Sequence, residues 1–229
     1  MLQIKNTGNF DALHVNVLVY GAAGVGKTRL ISTLNGGTLT ERSDVLIISA
    51  EAGLLSLVDS WIDYVTVSNM QELWEAYELA ASGKYKSVAI DSISEIAEMV
   101  LFSEKKLTKD PRAAYFSLNE RLVEIVRGFR DLPMDVYMAA KLEREQDESG
   151  RLIFGPSMPG KKLSADIVYQ FDEVFCLRKE TSPDGKTESM LMCSTDGVYQ
   201  AKDRSGALET WEEPDLGAII EKIKKRAKR

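Results

Sequence analysis

The sequence has very little cysteine and histidine, and it has no long apolar run. Of its 229 residues two are cysteines, Cys176 and Cys193, and one is a histidine. The cysteines lie in separate apolar stretches without the clustered spacing of a zinc site, so we expect both to be reduced and buried. No apolar run approaches the roughly 20 residues that a membrane helix needs. The N-terminus also lacks the basic-then-apolar order of a signal peptide, so the sequence predicts a cytoplasmic protein without a membrane partner.

Positive charge is scarce over most of the chain. The net charge is −6, whereas proteins that coat nucleic acid through a global positive field are usually basic, so any such contact has to be local. The last eight residues carry six cations, which leaves −12 on the preceding 221 (−6 less the tail's +6). This asymmetry predicts a basic C-terminal helix or tail over 215–229. It either meets an anionic partner or is a solvated helix end whose dipole favours cations.

The most informative segment that is present reads GAAGVGKT, at residues 21–28. Its glycines allow a turn with inward N–H groups, its lysine reaches the β- and γ-phosphates, and its threonine hydroxyl can ligate Mg²⁺. A β-branched run at 14–20 precedes it and a helix-forming segment at 27–34 follows, the order that phosphate binding requires. We call residues 21–28 the phosphate cradle. The residues expected to contact the nucleotide are Gly21, Ala22, Ala23, Gly24, Val25, Gly26, Lys27, Thr28 and Arg29.

Strands and helices alternate through the first 140 residues. Buried-type strands are predicted at 14–20, 44–49, 87–90 and 134–140, a weaker one at 64–67, and helices at 27–34, 69–82, 93–107 and 113–130. Beyond them a Gly/Pro-bearing stretch reaches about 164, strands follow at 171–179, 187–194 and 198–201, and a helix closes the chain from 215.

This alternation predicts an α/β fold with a mainly parallel sheet flanked by helices and an antiparallel C-terminal extension. We divide the chain into an N-terminal segment (1–13), a core (14–214) and the C-terminal basic helix (215–229). No internal repeat and no linker indicate a second folding unit.

Two carboxylates follow predicted strands. Asp91 ends SVAID, where its carboxylate is expected beside Mg²⁺ opposite the cradle, although an aspartate there can also cap the next helix. The next residue is Ser92, whereas AAA+ ATPases have a water-polarising glutamate at that position. Glu51, which follows the strand at 44–49, can supply the base if that strand lies next to the cradle strand. The alternative for Glu51 is a surface carboxylate.

The nucleotide chemistry remains open at this point. No guanine-reading NKxD sequence is present, which disfavours a GTPase. A small-molecule kinase would want an arginine-rich lid, and the stretch after Ala140 is long but not rich in arginine. A kinase therefore stays an alternative.

Four features belong together: Glu51, Asp91-Ser92, Lys141 after the fourth core strand, and the antiparallel C-terminal part. In this combination the chain resembles the RecA-like ATPase core of RecA recombinases, RadA and DnaB-type helicases. The resemblance covers roughly residues 14–205. It implies ATP and Mg²⁺ as cofactors, Glu51 as the water-activating base, Thr28 and Asp91 at the metal, and Lys27 at the phosphates. Lys141 would couple the γ-phosphate to a DNA-binding loop.

The segment AKDRSG at 201–206 looks like the lysine-x-arginine finger of RadA and DnaB-type ATPases, which enters the neighbouring subunit's site. Lys202 and Arg204 would then act in trans on developing phosphoryl charge. Residues i and i+2 of a strand share a face, so both cations can point at one phosphate. The alternative is a solvated pair. A trans finger implies a homo-oligomer, ring or filament, to which the segment 1–13 is a candidate contact.

Residues 143–162 stand where the family has its second DNA-binding loop. The cations and the aromatic expected to contact single-stranded DNA are Arg144, Arg151, Phe154, Lys161 and Lys162. The first part also carries four acids, Glu143, Glu145, Asp147 and Glu148, so contact is expected mainly at 151–162. An ordinary mobile surface loop is the alternative.

We expect neither a helicase-type N-terminal domain nor a zinc module beside this core. Such a minimal core resembles the phage-encoded RecA-like nucleotide-binding proteins that include single-strand annealing proteins. The resemblance implies a DNA-stimulated ATPase that binds single-stranded DNA and promotes annealing or recombination. A single-strand binding protein would be a further partner, in a host cytoplasm. The alternatives are the P-loop kinase and an ATP-switched assembly or loader protein that does not bind DNA.

Overall fold

The computed structural model of the protein describes residues 14–35, 43–51, 53–146, 149–181 and 184–228. The predicted oligomer contact at 1–13 lies outside the described residues, as do Asp147 and Glu148 of the predicted DNA-binding segment.

The first part of the chain alternates strands with helices, as the apolar pattern predicts. In chain order the elements are β1 (Asn16–Gly21), α1 (Lys27–Leu30), β2 (Val45–Ser49), β3 (Asp63–Thr66), α2 (Met70–Ala81), β4 (Ser87–Asp91), α3 (Ile93–Leu107), α4 (Pro111–Arg130) and β5 (Asp135–Gln146). The helix predicted at 27–34 is α-helical for one turn only and continues as a 3-10 helix over Ile31–Asn35.

The second part is mainly antiparallel, as predicted. Its elements are β6 (Leu152–Pro156), α5 (Lys161–Ile167), β7 (Glu173–Thr181), β8 (Thr187–Met192), β9 (Lys202–Asp203), β10 (Trp211–Glu212) and α6 (Leu216–Ala227). The strand predicted at 198–201 is wrong. Its residues include an isolated bridge between Tyr199 and Phe154, and strand pairing resumes only at Lys202.

One sheet of mixed direction organises the molecule, with the strand order β10-β8-β7-β1-β5-β4-β2-β3. β1 pairs in parallel with β5 and β7, and β4 pairs in parallel with β5 and β2. The predicted α/β class with a mainly parallel sheet and an antiparallel extension is therefore confirmed. β5 stands between the cradle strand β1 and the Asp91 strand β4, which brings the carboxyl ends of all three to one edge of the sheet.

The central strands are buried on both faces because helices cover both. In β1, Leu18 and Tyr20 pack on one side, while Val17 and Val19 pack on the other. Residues of α2, α3, α4 and α5 complete the first cluster; α1 and α6 contribute to the second. Parallel strands that are covered on both faces are continuous apolar runs, so the sequence predicts these strands correctly.

Residues 143–146 and 152–156 lie in strands, whereas the sequence predicts a loop over 143–162. β5 continues six residues beyond Ala140 and pairs antiparallel with β6, from Leu142 opposite Pro156 to Gln146 opposite Leu152. The apolar pattern does not indicate this hairpin because β5 carries only polar side chains beyond Leu142, and these are half-exposed or exposed. The remainder of the predicted loop includes the first turn of α5, which begins at Lys161 after Gly160, whose φ is 94°.

The predicted basic tail is a helix that packs on the core. Leu216, Ile219, Ile220 and Ile223 of α6 are buried in the second cluster. Two of its cations form ion pairs within the fold: Lys222 with Glu212, and Lys224 with Asp135 at 2.8 Å. Neither alternative from the sequence, an anionic partner or a solvated helix end, includes these ion pairs within the fold.

Cys176 and Cys193 are buried and form no disulfide. Burial raises the pKa of the Cys176 thiol to about 11, so it stays protonated at neutral pH. Among the helices that the structure describes, none is long and apolar enough to cross a membrane.

Candidate nucleotide-binding site

The cradle forms a turn between the carboxyl end of β1 and the start of α1. Gly24 has a φ of 73° and Gly26 a φ of 112°, conformations in which a residue with a Cβ is strained. A Cβ at either position would meet nothing within 4 Å, so backbone conformation, and not space, requires glycine there. Gly21 has a different reason: its Cβ would lie 2.5 Å from the carbonyl oxygen of Leu177 in β7.

A cleft of about 730 Å³ opens above the cradle. Eight of the nine predicted nucleotide contacts line it: Gly21, Ala22, Ala23, Gly24, Gly26, Lys27, Thr28 and Arg29. Val25 is the exception, because its side chain is buried in the second core cluster, and its carbonyl accepts a hydrogen bond from Ser189 Oγ at 3.2 Å. Val25 thus anchors the loop to β8.

Lys27 lies at the floor of the cleft. Its Nζ donates to the carbonyls of Gly21 (2.8 Å) and Ala22 (3.0 Å), which places the ammonium inside the cradle. Burial lowers its pKa, and the charges of Asp91 and Glu51 oppose that effect. A partly desolvated cation among carboxylates is suited to bind phosphate oxygens, which replace its lost hydration.

Thr28 and Asp91, the two residues predicted to bind Mg²⁺, contact each other in the cleft. Thr28 Oγ1 donates to Asp91 Oδ2 at 2.6 Å, and Asp91 is buried. Burial raises the pKa of Asp91, the charge of Glu51 adds to the rise, and the Thr28 hydrogen bond and Lys27 oppose it.

This hydroxyl and carboxylate beside a phosphate cleft fit Mg²⁺, which commonly binds one or two protein oxygens together with substrate phosphates and water. Within the described part of the chain, no group of three or more His, Cys, Asp or Glu could hold a metal ion. At Thr28 and Asp91 the protein offers two oxygen ligands, and phosphate oxygens and water would supply the others.

Glu51 lines the same cleft, but one premise of its assignment is wrong. Its strand β2 does not lie next to the cradle strand, because β4 and β5 stand between them. Glu51 reaches the cleft because the chain turns over β4 after Ser49: the N–H groups of Ala50 (2.8 Å) and Glu51 (3.3 Å) donate to the carbonyl of Asp91. The carboxylate then accepts a hydrogen bond from Ser92 Oγ at 2.6 Å.

Lys141 lies where the cleft meets the hairpin. Its side chain lines the cleft and forms an ion pair with Glu95, whose hydrogen bond raises the pKa of Lys141. Its N–H donates to Ser94 Oγ at 3.0 Å, and its carbonyl accepts from the N–H of Ser157 at 2.7 Å. Ser94 Oγ also donates to the carbonyl of Ser157 at 2.8 Å.

Three contacts of the site were not found by sequence reasoning. Tyr137 of β5 donates its hydroxyl to the carbonyl of Lys27 at 2.9 Å. Arg29 donates to the carbonyl of Ser56 at 3.0 Å, which ties α1 to the 3-10 helix Leu54–Leu57. Ser92 binds Glu51, as described above. No motif marks these contacts, because each joins residues that are distant in sequence.

Lys202 and Arg204 lie far from the cradle of their own chain. Lys202 Nζ donates to the carbonyl of Val168 at 2.8 Å, and burial lowers its pKa. Arg204 forms an ion pair with Asp172 at 3.0 Å, and Asp172 accepts hydrogen bonds from Asn16. Asn16 begins β1 whereas the cradle begins at Gly21, so about 16 Å of strand separates the two ends.

The predicted DNA-contacting residues divide between the hairpin and the start of α5. Arg144 is exposed directly opposite Phe154, and the Phe154 ring stacks on Tyr199 with centroids 4.6 Å apart. Arg151 is exposed where β6 begins, and Lys161 and Lys162 are exposed at the start of α5.

Two acids of the hairpin, Glu143 and Glu145, lie on its other face. Glu143 and Glu145 line a small cavity with Ser164, and Ser164 Oγ donates to Glu143 at 3.3 Å. Strand alternation therefore separates these two acids from Arg144, a separation that the linear sequence could not display.

A second cationic surface lies on α3 and α4, which we call the lysine–aromatic face (Phe102, Lys105, Lys106, Tyr115, Phe116). Phe102 is 63% and Phe116 65% exposed. Lys106 Nζ lies 4.1 Å from the Phe102 ring centroid, and Lys105 Nζ 5.6 Å from that of Tyr115.

This face adjoins the start of α5, because the Tyr115 ring lies 3.5 Å from where a Cβ of Gly160 would be. It therefore extends towards Lys161 and Lys162.

The family model described as an AAA domain matches residues 14–205 of the chain. The match includes the cradle, Glu51, Asp91, Lys141 and the segment around Lys202. The curated proteins gave no match to this sequence.

Proposed function

The chain belongs to the AAA domain family of P-loop nucleotide-binding proteins, and on that premise we propose that it is an Mg²⁺-dependent ATPase that assembles on single-stranded DNA and promotes annealing. The observation that carries the ATPase proposal is the convergence of Lys27, Thr28, Asp91 and Glu51 on one cleft. These side chains come from α1, β4 and the end of β2. Together they offer a phosphate cation, a metal pair and a base.

In the proposed reaction a water molecule attacks the γ-phosphorus of ATP. Glu51 accepts the water proton as the P–O bond forms, and the bond between the γ-phosphorus and the bridging oxygen breaks to release ADP. Lys27 and the cradle N–H groups stabilise the charge that develops on the phosphate oxygens. Mg²⁺ held by Thr28 and Asp91 would neutralise negative charge on the β- and γ-phosphate oxygens.

The finger is proposed to act in trans. Arg204 lies at the amino end of β1 and the cradle at its carboxyl end, so Arg204 does not reach the phosphates of its own chain. A neighbouring subunit that places its cleft against this end of the sheet would receive Arg204 after the ion pair with Asp172 opens. This arrangement supports a homo-oligomer with nucleotide between subunits.

Single-strand binding is supported by two adjoining surfaces. The hairpin presents Arg144 and Arg151, and the lysine–aromatic face presents exposed rings beside lysines on a chain of net charge −6. Cations that bind phosphates and rings that stack on bases are the combination that sequence-independent single-strand binding uses. In the turn between α3 and α4, Asp110 is committed to capping, because it accepts from the N–H of Arg112 at 2.9 Å.

The two activities are proposed to be coupled through the first turn of α3. Glu95 pairs with Lys141 at the cleft, and Ser94 binds both Lys141 and Ser157, which follows the hairpin strand β6. A change in how Lys141 meets the γ-phosphate would therefore act on the base of the hairpin. The cradle strand contributes a second link, since the Tyr20 hydroxyl donates to the carbonyl of Phe154 at 3.1 Å.

The test is ATP turnover with and without single-stranded DNA, together with DNA binding at several salt concentrations. We expect DNA to stimulate turnover and the Lys105→Gln/Lys106→Gln variant to bind DNA more weakly, with a salt slope smaller by about 0.7 per lysine removed. Phe102→Ala/Phe116→Ala should also weaken binding. Trp61→Ala, which removes another exposed ring, is the control. If DNA does not change the rate of ATP turnover and the protein binds no DNA, the annealing proposal is refuted. The assembly protein and the kinase would then remain as alternatives.

Mixing experiments test the finger. Lys27→Ala and Arg204→Ala proteins should each be inactive alone, and mixed oligomers should recover turnover, because some interfaces then join an intact cradle to an intact finger. Absence of recovery would leave Arg204 as the structural partner of Asp172.

A further inference from the structure

Ser92 is buried immediately behind the candidate base. It follows Asp91 at the end of β4, it is 1% exposed, and its Oγ donates to Glu51 Oε1 at 2.6 Å. Ser92 Oγ also accepts a weak hydrogen bond, of 3.4 Å, from the N–H of Glu95 in the first turn of α3. The hydroxyl proton is therefore committed to the carboxylate, and the lone pair to the helix.

The backbone of Glu51 is held by hydrogen bonds, whereas its side chain is not fixed by them. Its backbone N–H, like that of Ala50, donates to the carbonyl of Asp91 in β4, and its carbonyl accepts a hydrogen bond from Ser49 Oγ at the end of β2. A glutamate side chain retains several rotatable bonds beyond that backbone, and a catalytic base loses efficiency when those bonds are not ordered. The Ser92 hydrogen bond restricts them.

We infer that Ser92 is a positioning residue for ATP hydrolysis: it binds one oxygen of Glu51 so that the other accepts the water proton. This inference rests on the proposed ATPase function, in which Glu51 is the base. Ser92 acts through Glu51 and not on the phosphates, so it should alter the rate of the chemical step and not the affinity for ATP. Ser92 stands at the sequence position where AAA+ ATPases have their glutamate. It orients Glu51, which follows a different strand, β2.

A purely structural role for Ser92 is the competing explanation, because it also caps α3. The two roles separate with glycine, which caps helices almost as well as serine but has no hydroxyl. Threonine retains the hydroxyl. Ser87, which is buried at the other end of β4, offers a matched buried serine away from the cleft.

The experiment measures kcat and KM for ATP, with thermal melting, for Ser92→Gly, Ser92→Ala, Ser92→Thr and Ser87→Ala. Loss of a hydrogen bond to a charged group predicts a fall in kcat of about 10- to 100-fold for the glycine and alanine variants, with KM unchanged within about twofold. Ser92→Thr should recover most of the rate, and Ser87→Ala should behave as the wild type. A normal kcat in Ser92→Gly overturns the inference, as does a change confined to KM.

A double-mutant cycle with Glu51→Gln identifies the partner of Ser92. If Ser92 acts through Glu51, adding Ser92→Gly to Glu51→Gln should lower the residual rate by less than about twofold. An undiminished further loss means that Ser92 acts elsewhere. Failure of the wild-type protein to hydrolyse ATP, or full activity of Glu51→Gln, would instead refute the proposed function, so the two failures are distinguishable.

Discussion

Replacement of Glu173 with glutamine should remove a pH-dependent loss of stability. Glu173 begins β7, is 1% exposed, and lies opposite Asp203 of the finger segment. Its Oε1 accepts the N–H of Ser205 at 3.2 Å, whereas its Oε2 is buried without a hydrogen-bond partner. Burial, with the charge of Asp203 as the second cause, raises the pKa of Glu173 to about 8 from its ordinary 4.5.

The direction of the effect follows from which state binds the proton. Between pH 4.5 and about 8 the folded protein keeps Glu173 protonated, while the unfolded chain has released that proton. Stability therefore falls as pH rises through this interval. Each pH unit removes about 1.4 kcal/mol, so the full loss by pH 8 is about 5 kcal/mol. Glutamine resembles the neutral acid in size and can keep the Ser205 hydrogen bond, so its variant should not show this loss.

The assay is urea unfolding of both proteins from pH 5 to pH 9 at constant ionic strength, followed by tryptophan fluorescence. At pH 5 the two free energies of unfolding should agree within about 1 kcal/mol, and by pH 8.5 the variant should be more stable by several kcal/mol. Using the difference between the two proteins removes the contribution of all other titrating groups. A difference that stays constant across this pH range would refute the reasoning, because it would mean that Glu173 is ionised in the folded protein throughout.

Three further predictions concern the cleft. Gly26→Ala should introduce about 1–3 kcal/mol of local strain, because a φ of 112° disfavours any residue with a Cβ, and should weaken ATP binding at least tenfold by calorimetry. Unchanged affinity for ATP would show that the cradle tolerates another conformation. Asp91→Asn should lower turnover and shift its Mg²⁺ titration to higher concentration, because a metal ligand is lost, with metal-free nucleotide binding retained. An unaltered Mg²⁺ titration would remove Asp91 from the metal site. Tyr137→Phe should lower the free energy of unfolding by about 1 kcal/mol, through loss of the hydrogen bond to the Lys27 carbonyl, and equal urea midpoints would contradict this.

The nucleotide half of the site was largely predictable. Glycines with positive φ, a lysine and a hydroxyl within eight residues impose one local conformation, so strand, cradle and helix appear in the structure as the sequence predicts. Asp91 was predictable for a similar reason, since a buried strand places the residue at its carboxyl end by local pattern alone.

The hairpin and the finger were less accessible to sequence reasoning. Half-exposed polar strands such as the end of β5 have no clear apolar period, so their pairing depends on a partner strand that no local signal identifies. The contacts of Lys202 with the Val168 carbonyl and of Arg204 with Asp172 join residues more than 30 positions apart. Whether these side chains also meet a neighbour's phosphates stays a prediction.

The amino-acid sequence was sufficient to predict the phosphate cradle and to nominate Thr28 and Asp91 as candidate metal ligands, because such chemistry depends on residue types at close spacing and at the ends of apolar strands. The hydrogen-bond partner of the Glu51 carboxylate depended on the folded arrangement. β5 is inserted between β1 and β4, so Glu51 meets the cleft across Asp91 and Ser92 and not from a strand beside the cradle. Strand order is set by long-range packing of the whole sheet, and no local pattern encodes it.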